Sequence, residues 1–219
     1  MDHAESLVLM KKGAEASLYF MEWQNRKVIV KKRLPKKYRL SSLDEQIRTY
    51  RTVHEPQLLH EAKQAGVPTP LIYQVNIKEA AIMMEFIEGK QVKEILNNRS
   101  ENERTHVCVR IGKSIGKLHG SGIIHGDLTT SNMILGSEGR VVFVDFGLGE
   151  KTNELEARAV DLHLMKRALQ STHFRFAQRC FDAVIRGYSS VLGAEAAKEV
   201  LGKIEEIERR GRYVAERKM

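Results

Sequence analysis

The chain has 219 residues and a formal net charge of +8, with 42% hydrophobic and 29% charged residues. This length fits one good core or two small lobes with a shared interface, and the composition is ordinary for a globular protein. No apolar run reaches the roughly 18 residues of a membrane span, and the polar residues 1–5 do not form a signal peptide, so we expect a cytoplasmic protein. Cys108 and Cys180 lie far apart in the sequence and predict buried thiols rather than a disulfide.

The positive charge is concentrated in two places. Residues 26–39 contain eight basic side chains and no acid, and residues 209–219 contain five basic side chains, Arg209, Arg210, Arg212, Arg217 and Lys218. Such patches indicate a polyanionic partner such as a nucleic acid. A purely solubilising surface would have the same composition, so charge leaves both interpretations open.

Apolar alternation predicts a small antiparallel sheet of about five strands near residues 7–9, 18–20, 28–30, 71–77 and 80–84. The turn after the first strand contains Gly13, Ala14, Glu15, Ala16 and Ser17. Small residues would let backbone amides approach phosphate oxygens, and Ser17 could donate its hydroxyl. A plain hairpin turn would look much the same.

Lys31 ends the third strand and has the position of a phosphate-binding lysine. Its neighbour Lys32 should face the other side of the sheet. A helix is predicted from Ser41 or Ser42, either of which can cap it, to about residue 65. Glu55 or Glu61 on this helix could pair with Lys31, and we favour Glu55. Pro56 predicts a kink, or two helices with the second beginning near Glu55.

Residues 67–70 predict a rigid connector, and residues 84–89 a linker between two lobes. There an adenine ring would bind to backbone groups of Glu85 and Ile87, beside Met84. Beyond this linker the pattern becomes helical, with helices predicted at 92–96, 103–119, 155–169, 174–192 and 194–210.

The most informative stretch reads HGDLTTSN over residues 125–132 and DFG over residues 145–147. Two short strands, 133–135 and 141–144, flank a Gly-Ser-Glu-Gly turn and predict a hairpin that returns Asp145 to the side of Asn132. Asp127 then has the position of a base that accepts a hydroxyl proton. Asn132 and Asp145 have the positions of Mg²⁺ ligands. Ordinary turn residues beside a buried hairpin are the alternative.

Together these residues resemble the protein-kinase fold, with informative departures. The last of the four prolines is Pro70 and only 72 residues follow Gly147, so no activation segment of the usual kind fits. Gly126 stands where many kinases have an arginine that binds an activation-segment phosphate, and Thr129 replaces a lysine common in protein-substrate kinases.

Six segments resemble a particular family, the small atypical kinase subunit of the KEOPS tRNA-modification complex (the piD261 family). They are KGAEA (12–16), VKKRLPKKYR (30–39), GVPTP (66–70), HGDLTTSN (125–132), DFGL (145–148) and AVDL (159–162). The basic end of the chain also resembles this family's tail.

The resemblance implies an α+β, two-lobed protein-kinase-like fold, with a sheet and helix in residues 1–88 and a reduced helical lobe with a basic tail in residues 89–219. It implies weak serine/threonine kinase and ATPase activity with ATP and Mg²⁺ (or Mn²⁺). Asp127, Lys31 and Asn132 would be catalytic, Gly13–Ser17, Glu55 and the residues named at the linker would bind nucleotide, and Asn132 and Asp145 would bind metal.

The same resemblance implies partners. A metal-dependent threonylcarbamoyl-transferase subunit would bind on the side of the C-terminal lobe, a small regulatory subunit would bind the N-terminal lobe, and tRNA would be modified at adenosine 37. Two alternatives stay open at this point: a small-molecule phosphotransferase of the aminoglycoside or choline kinase type, and a catalytically silent scaffold. Retention of Lys31, Asp127 and Asp145 disfavours the scaffold.

Overall fold

A five-stranded antiparallel sheet and six helices form the framework of residues 7–216, the part of the chain that this computed structural model describes. For Glu138 and residues 211–216 the description covers the backbone alone. In chain order the elements are β1 Val8–Lys12, β2 Ser17–Trp23, β3 Arg26–Lys32, α1 Ser41–Gln64, β4 Ile72–Asn76, β5 Ala81–Glu85, β6 Gly89–Gln91, α2 Val92–Ile95, α3 Glu101–Gly120, β7 Ile123–Ile124, β8 Met133–Gly136, β9 Val141–Phe143, β10 Glu150–Lys151, α4 Leu155–Thr172, α5 Ala177–Leu192 and α6 Ala194–Glu216.

The N-terminal sheet has the strand order β1-β2-β3-β5-β4, and all five predicted strands are confirmed. A two-residue turn joins β2 to β3, with Trp23 paired to Arg26. Gln24 and Asn25 in this turn have φ of 49° and 60°, the left-handed values that tight hairpins with the twist of a sheet require. The register then places Lys31 opposite Leu18 on one side and Ile82 on the other.

Helix α1 is a single helix, so the predicted division at Pro56 is wrong. The proline costs one backbone hydrogen bond, but the same turns bury Leu58, Leu59 and Ala62 almost completely in the core. Tertiary packing of this kind supplies most of the stability of a helix and outweighs the local loss. The predicted serine cap is also wrong, because Leu40 occupies the cap position and no side chain caps the helix.

The C-terminal half is mainly helical, with two small sheets of order β6-β8-β9 and β10-β7. Helix α3 begins with a reciprocal capping box between Ser100 and Glu103. It packs closely on α5, because a Cβ added to Gly112 would lie 1.8 Å from the Val184 carbonyl oxygen. Only glycine therefore permits this helix contact.

Cys108 and Cys180 meet inside the α3–α5 contact. Both thiols are free and buried, as predicted. The neighbouring Cys180 thiol and burial raise the pKa of Cys108, which keeps it protonated.

The last helix, α6, continues to Glu216, so the predicted end at Arg210 is wrong. Gly211 lowers helix propensity by about 1 kcal/mol but does not stop a helix. Arg210 strengthens this turn by pairing with Glu206 one turn earlier, and it also pairs with Glu156 on α4. Arg217, Lys218 and the Arg212 side chain lie outside the described residues.

None of the helices within residues 7–216 is long and apolar enough to cross a membrane.

Candidate active site

The β8–β9 hairpin is present, and it brings the two ends of the 125–147 stretch together as predicted. The backbone N–H of Val144 donates to the carbonyl of Asn132 over 3.0 Å, which closes the hairpin at its base. Asp145 follows directly and has a left-handed φ of 64°. This conformation turns its carboxylate out of the strand direction and into a cleft between the two halves.

Asp127 and Asn132 form one unit on the lower side of this cleft. The Asn132 amide Nδ2 donates to the backbone carbonyl of Asp127 over 3.0 Å and to its Oδ2 over 2.8 Å. These bonds fix the Asp127 carboxylate. They also leave the Asn132 amide oxygen as an acceptor for another group.

Lys31 joins the upper and lower sides of the cleft. Its Nζ lies 2.8 Å from Glu55 Oε1 and 2.7 Å from Asp145 Oδ1. The preference for Glu55 over Glu61 is therefore confirmed, since Glu61 pairs instead with Lys151.

Because adjacent strand residues point to opposite faces, Lys32 faces away from the cleft and pairs with the exposed Glu79.

The environment of Asp145 favours its charged form. Desolvation in the cleft opposes ionisation, but the charge of Lys31 and its hydrogen bond outweigh that effect and lower the pKa of Asp145. Half of its side chain remains exposed, whereas Lys31 is buried. Asp145 is thus a charged carboxylate with an open side.

Arg33 lines the cleft, although the sequence had suggested that it belongs to the surface basic patch of residues 26–39. Its guanidinium is buried, donates to Glu55 Oε2, and lies 3.4 Å from the hydroxyl of Thr52. The signal was available, because residues two apart on a strand share a face and Lys31 had already been assigned to the cleft. Its place in a run of exposed cations concealed it.

The turn between β1 and β2 forms the roof of the cleft. Its backbone closes through a 2.9 Å bond from Gly13 N–H to the Ala16 carbonyl. Glu15 holds the turn to the rest of the lobe through Arg51, at 2.8 Å, and Arg39, at 3.3 Å. The cleft is lined by Lys11, Gly13, Ala14, Glu15, Ala16, Leu18, Lys31, Arg33, Arg51, Asp127, Asp145, Gly147 and Leu148.

The structure does not bring every predicted site residue to the lining of the cleft. Ser17 is buried as the first residue of β2, and Glu55 lies behind Lys31. Asn132 stands behind Asp127 and does not line the cleft.

The predicted linker lies in a separate depression, lined in part by Glu85 and Ile87, with Met84 buried in β5. The N–H of Glu85 donates to Leu71 O over 2.8 Å. Within the described part of the chain, the N–H of Ile87 has no hydrogen-bond partner. A free N–H beside a strand end is the group that an adenine ring requires.

Helix α4 holds the segment that precedes Asp127. The buried carboxylate of Asp161 accepts hydrogen bonds from the backbone N–H groups of His125 and Gly126, each at 2.9 Å. It also lies 3.2 Å from His119 Nε2 on α3. No sequence pattern indicated a role for Asp161 beyond its place in the AVDL segment (159–162).

A second anchor comes from the turn after α4. His173 Nδ1 lies 2.7 Å from Asn97 Oδ1, which can only accept, so the ring donates there and Nε2 accepts from the Thr130 hydroxyl at 3.1 Å. Burial, aided by the charge of Lys93, lowers the pKa of His173 and keeps the ring neutral.

Gly126 adopts a φ of +78°, and a Cβ there would lie 2.1 Å from the Leu148 carbonyl oxygen. No side chain fits at this position. Only residues 148–154 separate Gly147 from α4, and part of this segment is the strand β10 paired with β7. The expected absence of a long activation segment agrees with this short connection.

Three features define the protein-kinase-like class. A five-stranded sheet and a helix lie above the cleft, and a helical half lies below it. A strand lysine contacts both a helix glutamate and the aspartate of an Asp-Phe-Gly turn. The predicted α+β, two-lobed fold is confirmed.

Comparison with known proteins narrows this class. The model of the RIO domain family matches residues 5–178. The KEOPS complex subunit Bud32 of Pyrococcus abyssi is 47% identical over 211 residues, which cover 94% of this chain and 96% of that protein. The chain belongs to the RIO domain family and, within these kinase-like proteins, to the family of Bud32. The resemblance inferred from the six motifs is confirmed.

Longer relatives contain the same region as one part. A probable bifunctional tRNA threonylcarbamoyladenosine biosynthesis protein of Methanothermobacter thermautotrophicus is 42% identical over 205 residues, which cover 94% of this chain and 36% of the relative. The relative with the same description from Methanosarcina acetivorans is 43% identical over 202 residues, or 92% of this chain and 35% of the relative. The chain thus spans about a third of the length of these bifunctional proteins.

Proposed function

We propose that the protein is an atypical ATP-dependent kinase and ATPase that acts as a KEOPS subunit in threonylcarbamoyladenosine modification of tRNA at position 37. The observation that carries the catalytic part is the contact of Lys31 with both Glu55 and Asp145. The names of the relatives support the biological part. The metal-dependent subunit and the small regulatory subunit implied by the resemblance are the proposed partners, with tRNA.

Residues 1–88 would supply the nucleotide-binding half and residues 89–219 the catalytic half. The carbonyl of Glu85 and the free N–H of Ile87 would bind the adenine beside Met84. Lys31 would turn its ammonium to the phosphates, and the backbone of the 13–17 turn would cover them. Lys11 and Lys31 in the lining of the cleft supply positive charge that supports this orientation.

The donor set suits Mg²⁺. Mg²⁺ prefers hard oxygen ligands, keeps several waters and usually takes one or two protein groups together with substrate phosphates. The open side of the Asp145 carboxylate is one such donor in the cleft, and the amide oxygen of Asn132, whose Nδ2 is bonded to the cleft residue Asp127, would be the second. When bound, the ion would neutralise negative charge on the phosphate oxygens.

Asp127 would accept the proton of the attacking hydroxyl. The Asn132 amide holds its carboxylate from below and so fixes the direction in which the free oxygen points. In a kinase reaction the proton comes from a serine or threonine, and in ATP hydrolysis it comes from water. The short 148–154 connection offers little surface for a protein substrate, which supports hydrolysis as the basal activity.

The test is Mg²⁺-dependent ATP turnover of the purified protein, with and without partner subunits and tRNA. Asp145→Ala should abolish turnover, because it removes a proposed metal ligand and the partner of Lys31. Asp127→Ala should retain ATP binding and lower turnover by about a hundredfold or more, the usual effect of a positioned base.

Asp182→Ala, at an exposed position on α5, is the control and should behave as wild type. Unchanged turnover in both cleft variants would remove the basis of the assignment.

A further inference from the structure

Glu55 is held by two cations. Lys31 donates to its Oε1 over 2.8 Å, and Arg33 donates to its Oε2. The Arg33 side chain is 3% exposed and the Glu55 side chain 1%, so water screens neither charge. Lys31 is shared with Asp145, whereas the ion pair of Arg33 within the described residues is with Glu55.

The charges of the cluster balance only in the observed state. Lys31 and Arg33 supply two positive charges, and Glu55 and Asp145 supply two negative ones. Under the proposed function, Lys31 keeps its contact with Glu55 and also serves the nucleotide phosphates, while a metal ion takes up Asp145. Glu55 would then share its lysine with the phosphates, and a second cation beside it matters because an uncompensated buried charge is strongly unfavourable.

We propose that Arg33 is a positioning residue for catalysis: it keeps Glu55 in place while Lys31 serves the nucleotide phosphates. This inference rests on the proposed function, because it assumes that a nucleotide occupies the cleft. Arg33 lines the cleft, but its guanidinium donates to Glu55 and Thr52, so it would act through Glu55.

Arginine suits this position better than lysine. Its planar fork reaches two acceptors together, here Glu55 Oε2 and the hydroxyl of Thr52. Thr52 is oriented for this contact, because its own hydroxyl donates to the Arg48 carbonyl over 2.7 Å. The backbone N–H of Arg33 is bonded to Ala80 O at 2.9 Å, which fixes the base of the side chain.

The guanidinium also lies against the lower half of the cleft. A Cβ added to Gly147 would lie 3.3 Å from Arg33 Nη2 and 3.5 Å from Glu55 Oε2. Arg33 and Glu55 therefore back the Asp-Phe-Gly turn that carries Asp145. Removal of either side chain should affect both sides of the site.

The experiment is a double-variant cycle with Arg33→Met and Glu55→Gln, read as kcat, KM for ATP and ATP affinity by calorimetry. Arg33→Met should lower kcat about ten- to a hundredfold, the usual range for one hydrogen bond to a charged group. In the Glu55→Gln background the same substitution should change kcat less than about twofold, because no buried charge remains for Arg33 to hold.

Arg33→Lys should recover part of the loss, since it restores the charge without the fork. Lys32→Met is the matched control, because it removes a neighbouring cation from the opposite face of the same strand. It should retain wild-type kcat and KM. If Arg33→Met does not fold, Arg33→Lys replaces it in the cycle.

An equal loss of kcat from the Arg33 substitution in both backgrounds would overturn the inference and indicate a purely structural residue. A wild-type protein that binds ATP without turning it over would contradict the proposed function alone, and the cycle would then be read on ATP affinity. Absence of ATP binding by the wild type would overturn both.

Discussion

Two adjacent lysines on β3 have opposite environments because strand side chains alternate between faces. Lys31 is buried between Glu55 and Asp145, whereas Lys32 lies at the surface beside Glu79. The difference in burial determines how much free energy the contacts of each lysine contribute. An exposed pair contributes about 0–1 kcal/mol, while a hydrogen bond to a charged group in a shielded site contributes about 1.5–3 kcal/mol.

Lys31→Ala should therefore reduce ATP turnover about tenfold or more, while Lys32→Ala should leave it close to wild type. The fold should survive the first change, because Arg33 still neutralises Glu55. ATP affinity and turnover of the two variants, measured beside their unfolding temperatures, give the comparison. A larger loss from Lys32→Ala would mean that the strand phase is wrong.

At the scale of single residues, sequence patterns were sufficient to place a side chain where one structural rule determined its position. Strand alternation selects Lys31, and the spacing around the hairpin places Asp127, Asn132 and Asp145 together. Arg33 was missed because a run of cations reads as surface. Strand alternation places Arg33 on the face of Lys31, but burial of its charge depends on which element packs above that face.

At the scale of elements, α4 fixes the geometry of the loop that carries Asp127. Asp161 is fully buried, and it accepts two backbone N–H groups of that loop and faces His119. A helix side chain thus replaces the regular backbone pairing that a loop lacks. The loop can then hold the left-handed Gly126 in place.

Asp161→Asn should lower the free energy of unfolding by about 2–4 kcal/mol, because the amide loses the charge and presents N–H donors to a donor-rich site. Turnover should fall about tenfold or more as the loop loosens. Urea unfolding and ATP turnover of the same preparation check both effects.

Asp182→Asn on the exposed face of α5 is the control, with an expected change within about 0.5 kcal/mol. Equal effects of the two substitutions would contradict the anchoring role of Asp161.

The helix boundaries show where sequence rules were outweighed. Pro56 and Gly211 are local helix breakers, yet α1 and α6 continue through them. In α1 the buried side chains beyond the proline supply the compensation, and in α6 the pairs of Arg210 with Glu206 and Glu156 support the last turns. The strands were predicted more reliably than the helix ends, because apolar alternation and turn residues indicated the same strand positions.

For the whole molecule, the two basic patches differ once the fold is known. In residues 26–39, Lys27, Lys32 and Arg39 pair with acids, while Lys31 and Arg33 are buried in the cleft. That patch is therefore not a uniform cationic surface. We therefore test the proposed contact with nucleic acid at the C-terminal patch.

Deletion of residues 211–219 should weaken tRNA binding and lower the slope of its salt dependence by about two to three units, close to one unit for each phosphate that no longer meets a cation. The deletion removes Arg212, Arg217 and Lys218 but retains the pair of Arg210 with Glu156. Salt titrations of tRNA affinity, in the assembled complex, measure the slope.

Basal ATP turnover should remain unchanged, since the residues described as lining the cleft all lie between Lys11 and Leu148. The matched control replaces three exposed lysines elsewhere, Lys93, Lys113 and Lys198, with glutamine. If the deletion and the control give the same slope, the tail serves solubility alone.

The close approach of Gly126 to Leu148 has an evolutionary consequence. A Cβ at residue 126 would lie 2.1 Å from the Leu148 carbonyl oxygen, so the arginine that many kinases carry there cannot be accommodated. Residues 148–154 are also too few to present a phosphorylated loop to such an arginine. An arginine without a longer activation segment, or a longer segment without the arginine, would bring no benefit, and the substitution at residue 126 would damage the site. Control by activation-segment phosphorylation therefore cannot be reached from this sequence through single mutations that each preserve activity.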